Sequence, residues 1–164
     1  MPVTMKQIES HLNDKGIHYF VNADQQVLIA PYPTHGDMLN LTITVAEEGD
    51  YIRCSVPCFV NARDAVNREA LFAELLHLNY QYKMVKFCYD PSDQEVSVEV
   101  AMPIEDSTLT DGQISRLLCA MFHVMRSCRP GLTELIKTGA TRAEQQDEIV
   151  RKLLDSVKGP GDAE

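Results

Sequence analysis

The sequence predicts an α+β domain in which a mostly antiparallel sheet carries helices on one face. Apolar and polar residues alternate with a period of two over residues 39–45 and 52–58, which is typical of strands with one buried and one solvated face. Other stretches have helical periodicity and begin at capping residues. The chain offers no long crossovers of the kind that parallel strands need, so antiparallel pairing is expected.

Length and charge limit the classes of protein that this chain can represent. Its 164 residues, 45% hydrophobic and 24% charged, fit one globular domain with a normal core. The net charge of −9 is spread along the chain, and no segment is basic. Because an acidic surface repels phosphate backbones and anionic lipid, we expect neither a nucleic-acid nor a membrane partner.

The cysteines and the N-terminus favour a cytoplasmic location. The first residues contain one lysine and no apolar core, so they do not form a secretory signal. The cysteines are odd in number, and each lies in an apolar stretch, which predicts buried, reduced thiols. They are Cys54, Cys58, Cys88, Cys119 and Cys128.

The first helix is predicted from its N-terminal cap. Thr4 and Gln7 have the spacing of a capping box, and Val3 and Ile8 occupy the two positions of a hydrophobic staple. Gly16 is a typical C-terminal stop.

Four strands are predicted next, at residues 17–22, 27–30, 39–45 and 52–58. The second is continuously apolar, which favours a central position in the sheet. Pro31 and Pro33 predict its end, with a loop over residues 34–37. A hairpin loop containing Gly49 joins the third and fourth strands. Alternation places Cys54 and Cys58 on one face, about 13 Å apart, too far for one zinc ion or a disulfide.

The second half of the chain is predicted to contain three helices and one more hairpin. A helix starting between Asn61 and Asn67 has a stripe of Leu71, Leu75 and Leu78, with Phe72 and Leu76 beside it. The hairpin follows, with strands at 85–89 and 96–102 and a turn at 90–93. The remaining helices begin at capping boxes, Thr110 with Gln113 and Thr141 with Glu144. Pro130 and Gly131 break or kink the former, and Leu132, Leu135 and Ile136 add a short turn.

These elements predict a domain over residues 1–140, a C-terminal helix over 141–158 and a disordered tail over 159–164. No catalytic, phosphate-binding or metal-binding motif occurs, so we expect no enzyme, no cofactor and no metal. The five histidines lie on five separate segments. Two groups of charged residues are most simply interpreted as solvated surface, but each also has a possible function. Glu105, Asp106 and Asp111 could bind a cation, and Arg116, Arg126 and Arg129, read as one helix, could meet an anionic partner.

One region resembles a known family. A helix that ends in Leu75-Leu76-His77-Leu78-Asn79 runs into Val85-Lys86-Phe87-Cys88-Tyr89-Asp90, followed by residues 96–103 and the helix start at Leu109-Thr110. This order resembles the YbjN family over about residues 71–135. Upstream, the resemblance extends to residue 4 in the order of the elements alone. Its motif is one of packing, and Asn79 suits a helix C-cap.

The resemblance implies a type III secretion chaperone-like fold, often dimeric, that contacts other polypeptides. Members are commonly labelled sensory transduction regulators, and the family supplies no catalytic residues. The last helix is an addition to a minimal secretion chaperone and could cover the usual dimer surface.

The leading functional expectation is therefore a non-enzymatic protein-binding module, chaperone-like or regulatory, acting as a homodimer on a polypeptide client. The candidate contact residues are Ile149, Val150, Leu153 and Leu154, a stripe that could instead dock on its own domain. The alternative is a sensor that binds a small molecule or a cation. The client, the oligomeric state and the strand order stay open.

Overall fold

Six strands form one antiparallel sheet, and helices pack against its apolar face. This computed structural model describes residues 3–22, 24–34, 36–46, 49–105 and 107–157. Its helices are α1 (Met5–Asp14), α2 (Arg68–Gln81), α3 (Asp111–Ser127), α4 (Arg129–Thr138) and α5 (Arg142–Val157). Its strands are β1 (Phe20–Asn22), β2 (Val27–Thr34), β3 (Asp37–Ala46), β4 (Tyr51–Asn61), β5 (Lys86–Tyr89) and β6 (Glu95–Pro103).

The strand order is β1-β2-β3-β4-β6-β5, and every neighbouring pair is antiparallel. Strand β6 lies between β4 and β5, so β1 and β5 form the two edges. The predicted α+β class and antiparallel sheet are confirmed.

Alternation along the strands separates the two faces of the sheet. Val96, Val98 and Val100 of β6 are buried on the helix side. On the other face Thr42 and Ser55 pair across β3 and β4, with 2.7 Å between their hydroxyl oxygens. Because one face is apolar and the other polar, helices cover only the first. The buried helix residues that pack there include Ile8, Leu12, Leu71, Leu117, Met121 and Met125.

Strand β2 is longer than predicted, because it continues through both prolines to Thr34. Pro31 and Pro33 remain in register with β3, while β1 pairs with β2 only as far as Ile29. A proline cannot donate to a ladder, but an edge without a neighbouring strand needs no donor. Thr34 also pairs with Asp37, so the β2–β3 ladder reaches both ends of the predicted loop. Strand β2 therefore has the expected central position, with a strand on each side, only over residues 27–29.

A β-bulge in β4 overturns the prediction for Cys58. The β4–β6 register shifts between Val56 and Val60, and Cys58 has a φ of +51°. The bulge turns Cys58 to solvent and buries Phe59 instead. Cys54 and Cys58 therefore do not share a face. Cys119 is also exposed, so only Cys54 and Cys128 are buried as predicted, with Cys88 half-buried.

The helix starts follow the predicted caps. All three predicted capping boxes, at Thr4, Thr110 and Thr141, are present. Between the two predicted limits, Asn61 caps a 3₁₀ turn over Ala62–Asp64, and Asn67 caps α2. Helix α4 is a correction, because a full helix replaces the predicted short turn. Its three leucine and isoleucine residues are buried as a stripe.

Glycine ends α4 for a clear steric reason. Gly139 has a φ of +72°, the left-handed conformation that stops a helix. A Cβ there would also lie 3.2 Å from the Cβ of Asn67. Helix α5 follows after Thr141, whose backbone N–H and hydroxyl both donate to Glu144, at 2.7 and 2.8 Å. The predicted tail, 159–164, lies outside the described residues, and the division at residue 140 stays a prediction.

Candidate functional site

The candidate contact stripe on α5 begins at solvent-facing residues. Ile149 is 58% exposed and Val150 is 53% exposed. The charged residues around them are exposed as well, and Lys152 pairs with Glu148 one turn away at 2.7 Å. Both side chains are thus more exposed than buried in the single chain. The side chains of Leu153 and Leu154 lie outside the described residues.

A second exposed apolar stripe lies on α2, and the sequence did not single it out. Leu76 is 71% exposed and Tyr80 is 74% exposed. Phe72, one turn before Leu76, is half-buried with its ring 4.9 Å from that of Tyr89 on the edge strand β5. We call Phe72, Leu76 and Tyr80 the α2 stripe.

Helix α2 is thus apolar on two faces. Leu71, Leu75 and Leu78 point into the core as predicted. The i, i+4, i+8 spacing of Phe72, Leu76 and Tyr80 forms the outer face. A helix that is apolar on two faces is typical of one buried on both sides. The spacing was visible in the sequence, but only the sheet shows which set faces outward.

The described members of the predicted cation group, Glu105 and Asp111, do not form part of a metal-binding cluster with other described residues. Asp111 lies in the first turn of α3, and its carboxylate is 3.4 Å from Nδ1 of His11. Glu105 is exposed, and Asp106 lies outside the described residues. Within the described ranges, no cluster of three or more metal-binding side chains occurs. Asp111 instead serves the helix dipole and the histidine.

Buried His11 makes a second contact, in which its Nε2 lies 3.1 Å from Oγ of Ser115. The contacts therefore link Asp111 to His11 and His11 to Ser115, as in the catalytic triad of serine hydrolases. However, His11 is only 3% exposed, and Asp111 and Ser115 are one turn apart on α3. A substrate would not reach the imidazole, so these contacts hold α1 against α3.

The three arginines that were expected on one helix lie on two helices, so that prediction is wrong. Arg116 and Arg126 are exposed on α3. Because Pro130 cannot continue that helix, α3 ends with Cys128 as its C-cap, and Arg129 begins α4. The Arg129 guanidinium donates to the carbonyl oxygen of Phe59 and to the carboxylate of Asp37. It is mostly buried and holds elements together.

Three thiols are kept in the neutral form. Burial raises the pKa of Cys54 to about 12. A hydrogen bond with Glu95, followed by partial desolvation, raises the pKa of Cys58 to about 11. Burial and the nearby Glu99 raise the pKa of Cys88. Because the thiolate is the reactive form, these environments oppose nucleophilic chemistry.

One cavity of about 340 Å³ lies among α2, the α3–α4 junction and the start of α5. Its lining includes Leu78, Tyr82, His77, Leu132 and Gln146. This volume is within the range of small-molecule sites. Its lining does not include Glu105 or Asp111. Across the described residues, no helix is long and apolar enough to span a membrane.

Solved structures with this arrangement include two complexes. The chaperone–effector complex of SchA with HopA1 matches at a TM-score of 0.53 and 13% identity, covering 79% of this chain and 99% of that chain. The complex of ExsC with ExsE matches at 0.56 and 14%, covering 80% and 97%. The molecule therefore has a type III secretion chaperone-like fold.

A family model identifies the chain more specifically. The YbjN model, described as "Putative bacterial sensory transduction regulator", matches residues 4–134, so the chain belongs to the YbjN family. The crystal structure of YbjN from E. coli, "a putative transcription regulator", matches at a TM-score of 0.54 and 17% identity, covering 75% of this chain and 87% of that chain. No curated protein sequence matches the chain.

Proposed function

We propose that this protein is a non-enzymatic, cytoplasmic binding module that acts as a homodimer on a polypeptide partner. The observation that carries the proposal is the exposure of Ile149 and Val150 on a capped helix. The fold, shared with a chaperone in complex with its effector, supports a polypeptide as the partner. The free cysteines support a reducing compartment.

The two apolar surfaces have separate roles in this proposal. The α2 stripe lies beside the free edge of β5, so a second copy could cover both at once. Burial of such an aromatic and aliphatic stripe contributes roughly 25 cal/mol per Å². The α5 stripe, including Leu153 and Leu154, then receives an apolar face of the partner, as helix-in-groove recognition does.

The test is capture of partners by the tagged full-length chain from lysate of its source, with identification by mass spectrometry. We expect a near-stoichiometric polypeptide with the wild type and at least about tenfold less with the double variant I149E/V150E. R151E is the matched control, because it changes the net charge by the same two units on the same helix. Equal capture by both variants, or no polypeptide at all, would overturn the proposal.

The cavity beside α2 supports a second candidate, a small-molecule sensor. A ligand at 100 times its Kd would stabilise the protein by about 2.7 kcal/mol. A thermal-shift screen with metabolites checks this, and an unchanged melting temperature across the panel would count against it.

A further inference from the structure

A groove of about 540 Å³ lies between β2 and α4, apart from both apolar stripes. Residues 32–34 form the strand side. Thr133 and Lys137 line the helix side, and buried Met125 contributes to the floor. Tyr32 and Pro33 add apolar surface to polar and charged walls, a composition suited to a specific ligand.

The walls of this groove are held in place. Tyr32 stacks on Phe122 of α3, with ring centroids 5.2 Å apart. Arg129 fixes the start of α4 to the sheet through Phe59 on β4 and Asp37 on β3. Because strand and helix are both anchored to the core, the groove is preformed rather than created by a ligand.

The charge of the groove is opposite to that of the chain. Arg129 is matched by Asp37. Arg126 and Lys137 are exposed, and neither has an ion-pair partner among the described side chains. Glu134 is the carboxylate in the lining, so positive charge exceeds negative charge here, whereas the whole chain carries −9. The complementary ligand is acidic.

The dimensions suit an extended peptide. From Arg129 to Lys137 the helix rises about 12 Å, which equals about four residues of extended chain. Pro31 and Pro33 have no N–H, so the adjacent edge offers an incoming strand few backbone donors. Recognition must therefore come mainly from side chains.

We propose that this groove binds a short acidic segment of the polypeptide partner. Its carboxylates pair with Arg126 and Lys137, and its apolar side chains cover Tyr32 and Pro33. This inference rests on the proposed function, because it gives the partner a second contact and a chemical character. Charge-assisted pairs with arginine are the stronger kind of hydrogen bond and supply the selectivity.

The experiment titrates the purified full-length chain with a fluorescent peptide of alternating glutamate and valine. The matched peptide has glutamine in place of glutamate. We expect the acidic peptide to bind at least about tenfold more tightly, with affinity falling as salt rises. The double variant R126Q/K137Q should lose about that factor. The control R116Q/K86Q removes the same charge outside the groove and should bind like the wild type.

Equal binding of the two peptides, or an equal loss of affinity in the control variant, would contradict the proposal that this groove binds an acidic segment. A full-length D162N/E164Q variant tests another occupant. If it binds the acidic peptide at least about tenfold more tightly, the acidic segment at Asp162 and Glu164 of this chain is the occupant and the partner proposal is wrong. The capture experiment with I149E/V150E does not depend on these titrations. A negative titration would therefore contradict the groove proposal and leave the proposed function standing.

Discussion

The side-chain amide of Asn79 pairs with both backbone polar groups of Phe87. Its Nδ2 donates to the Phe87 carbonyl oxygen at 3.1 Å, and the Phe87 N–H donates to its Oδ1 at 2.8 Å. The pair joins α2 to the edge strand β5. Asn79 is not the C-cap that its sequence context suggested, because α2 continues to Gln81 and Tyr82 is the cap. The motif that resembles the YbjN family thus fixes the strand beside the α2 stripe.

We predict that N79D lowers the free energy of unfolding by about 1–3 kcal/mol. The carboxylate retains the acceptor but removes the donor, and it faces the Phe87 carbonyl. Urea unfolding measures the loss. N40D is the control, since Asn40 is exposed on β3. A difference between the two variants below about 0.5 kcal/mol would show that the pair contributes little.

We predict that H11A destabilises the protein by about 1–3 kcal/mol, because Ser115 loses a partner and a buried space opens. H18A removes an exposed histidine and should change stability by less than about 0.5 kcal/mol. Equal unfolding midpoints for H11A and wild type would contradict the role assigned to His11.

We predict that L76E converts the proposed dimer into a monomer with little change in folding. Leu76 is exposed in the single chain, so a glutamate costs little there, but burial of its charge in an interface would be costly. Light scattering after size-exclusion chromatography measures the molar mass. V21E, on the opposite edge strand β1, should leave the mass unchanged. A dimeric L76E would exclude the α2 stripe as the subunit contact.

We predict slow alkylation of Cys58 compared with Cys119, although both are exposed. A pKa of about 11 leaves about one thiolate in 1000 at pH near 8. The rate at Cys58 should therefore rise as the pH approaches 11. Labelling followed by peptide mass spectrometry distinguishes the two sites. Faster labelling at Cys58 than at Cys119 would contradict the assigned environment.

We predict that alkaline pH weakens the fold through Cys54. Its folded pKa of about 12 exceeds the ordinary value of 9.0. The stabilisation is complete below pH 9 and is lost as the pH rises toward 12, because the unfolded thiol ionises first. Urea unfolding of C54A should show a weaker decline over this interval than wild type. Parallel pH profiles would refute this linkage.

Local signals were enough to predict the helix starts and the alternating strands. The boxes at Thr4 and Thr110 depend on residues three positions apart, so their geometry is written in the sequence. The path of β2 through its prolines depends on where β1 stops, and the bulge at Cys58 depends on the register with β6. Such facts arise from pairing between distant segments.

The candidate surfaces likewise combine local patterns, which the sequence shows, with features that depend on distant segments. The α5 stripe was visible as periodicity, but its exposure at Ile149 and Val150 required the position of the helix relative to the core. Leu76 was assigned beside the buried stripe, since periodicity does not tell an inner face from an outer one. The groove at Lys137 joins a strand and a helix that are far apart in the sequence.

The most direct test of the central claim is the native mass of the tagged full-length chain isolated from lysate of its source. We predict a particle that contains two copies of the 18.4 kDa chain together with a bound polypeptide. A particle with the mass of one chain and no added polypeptide would contradict both the dimer and the binding function.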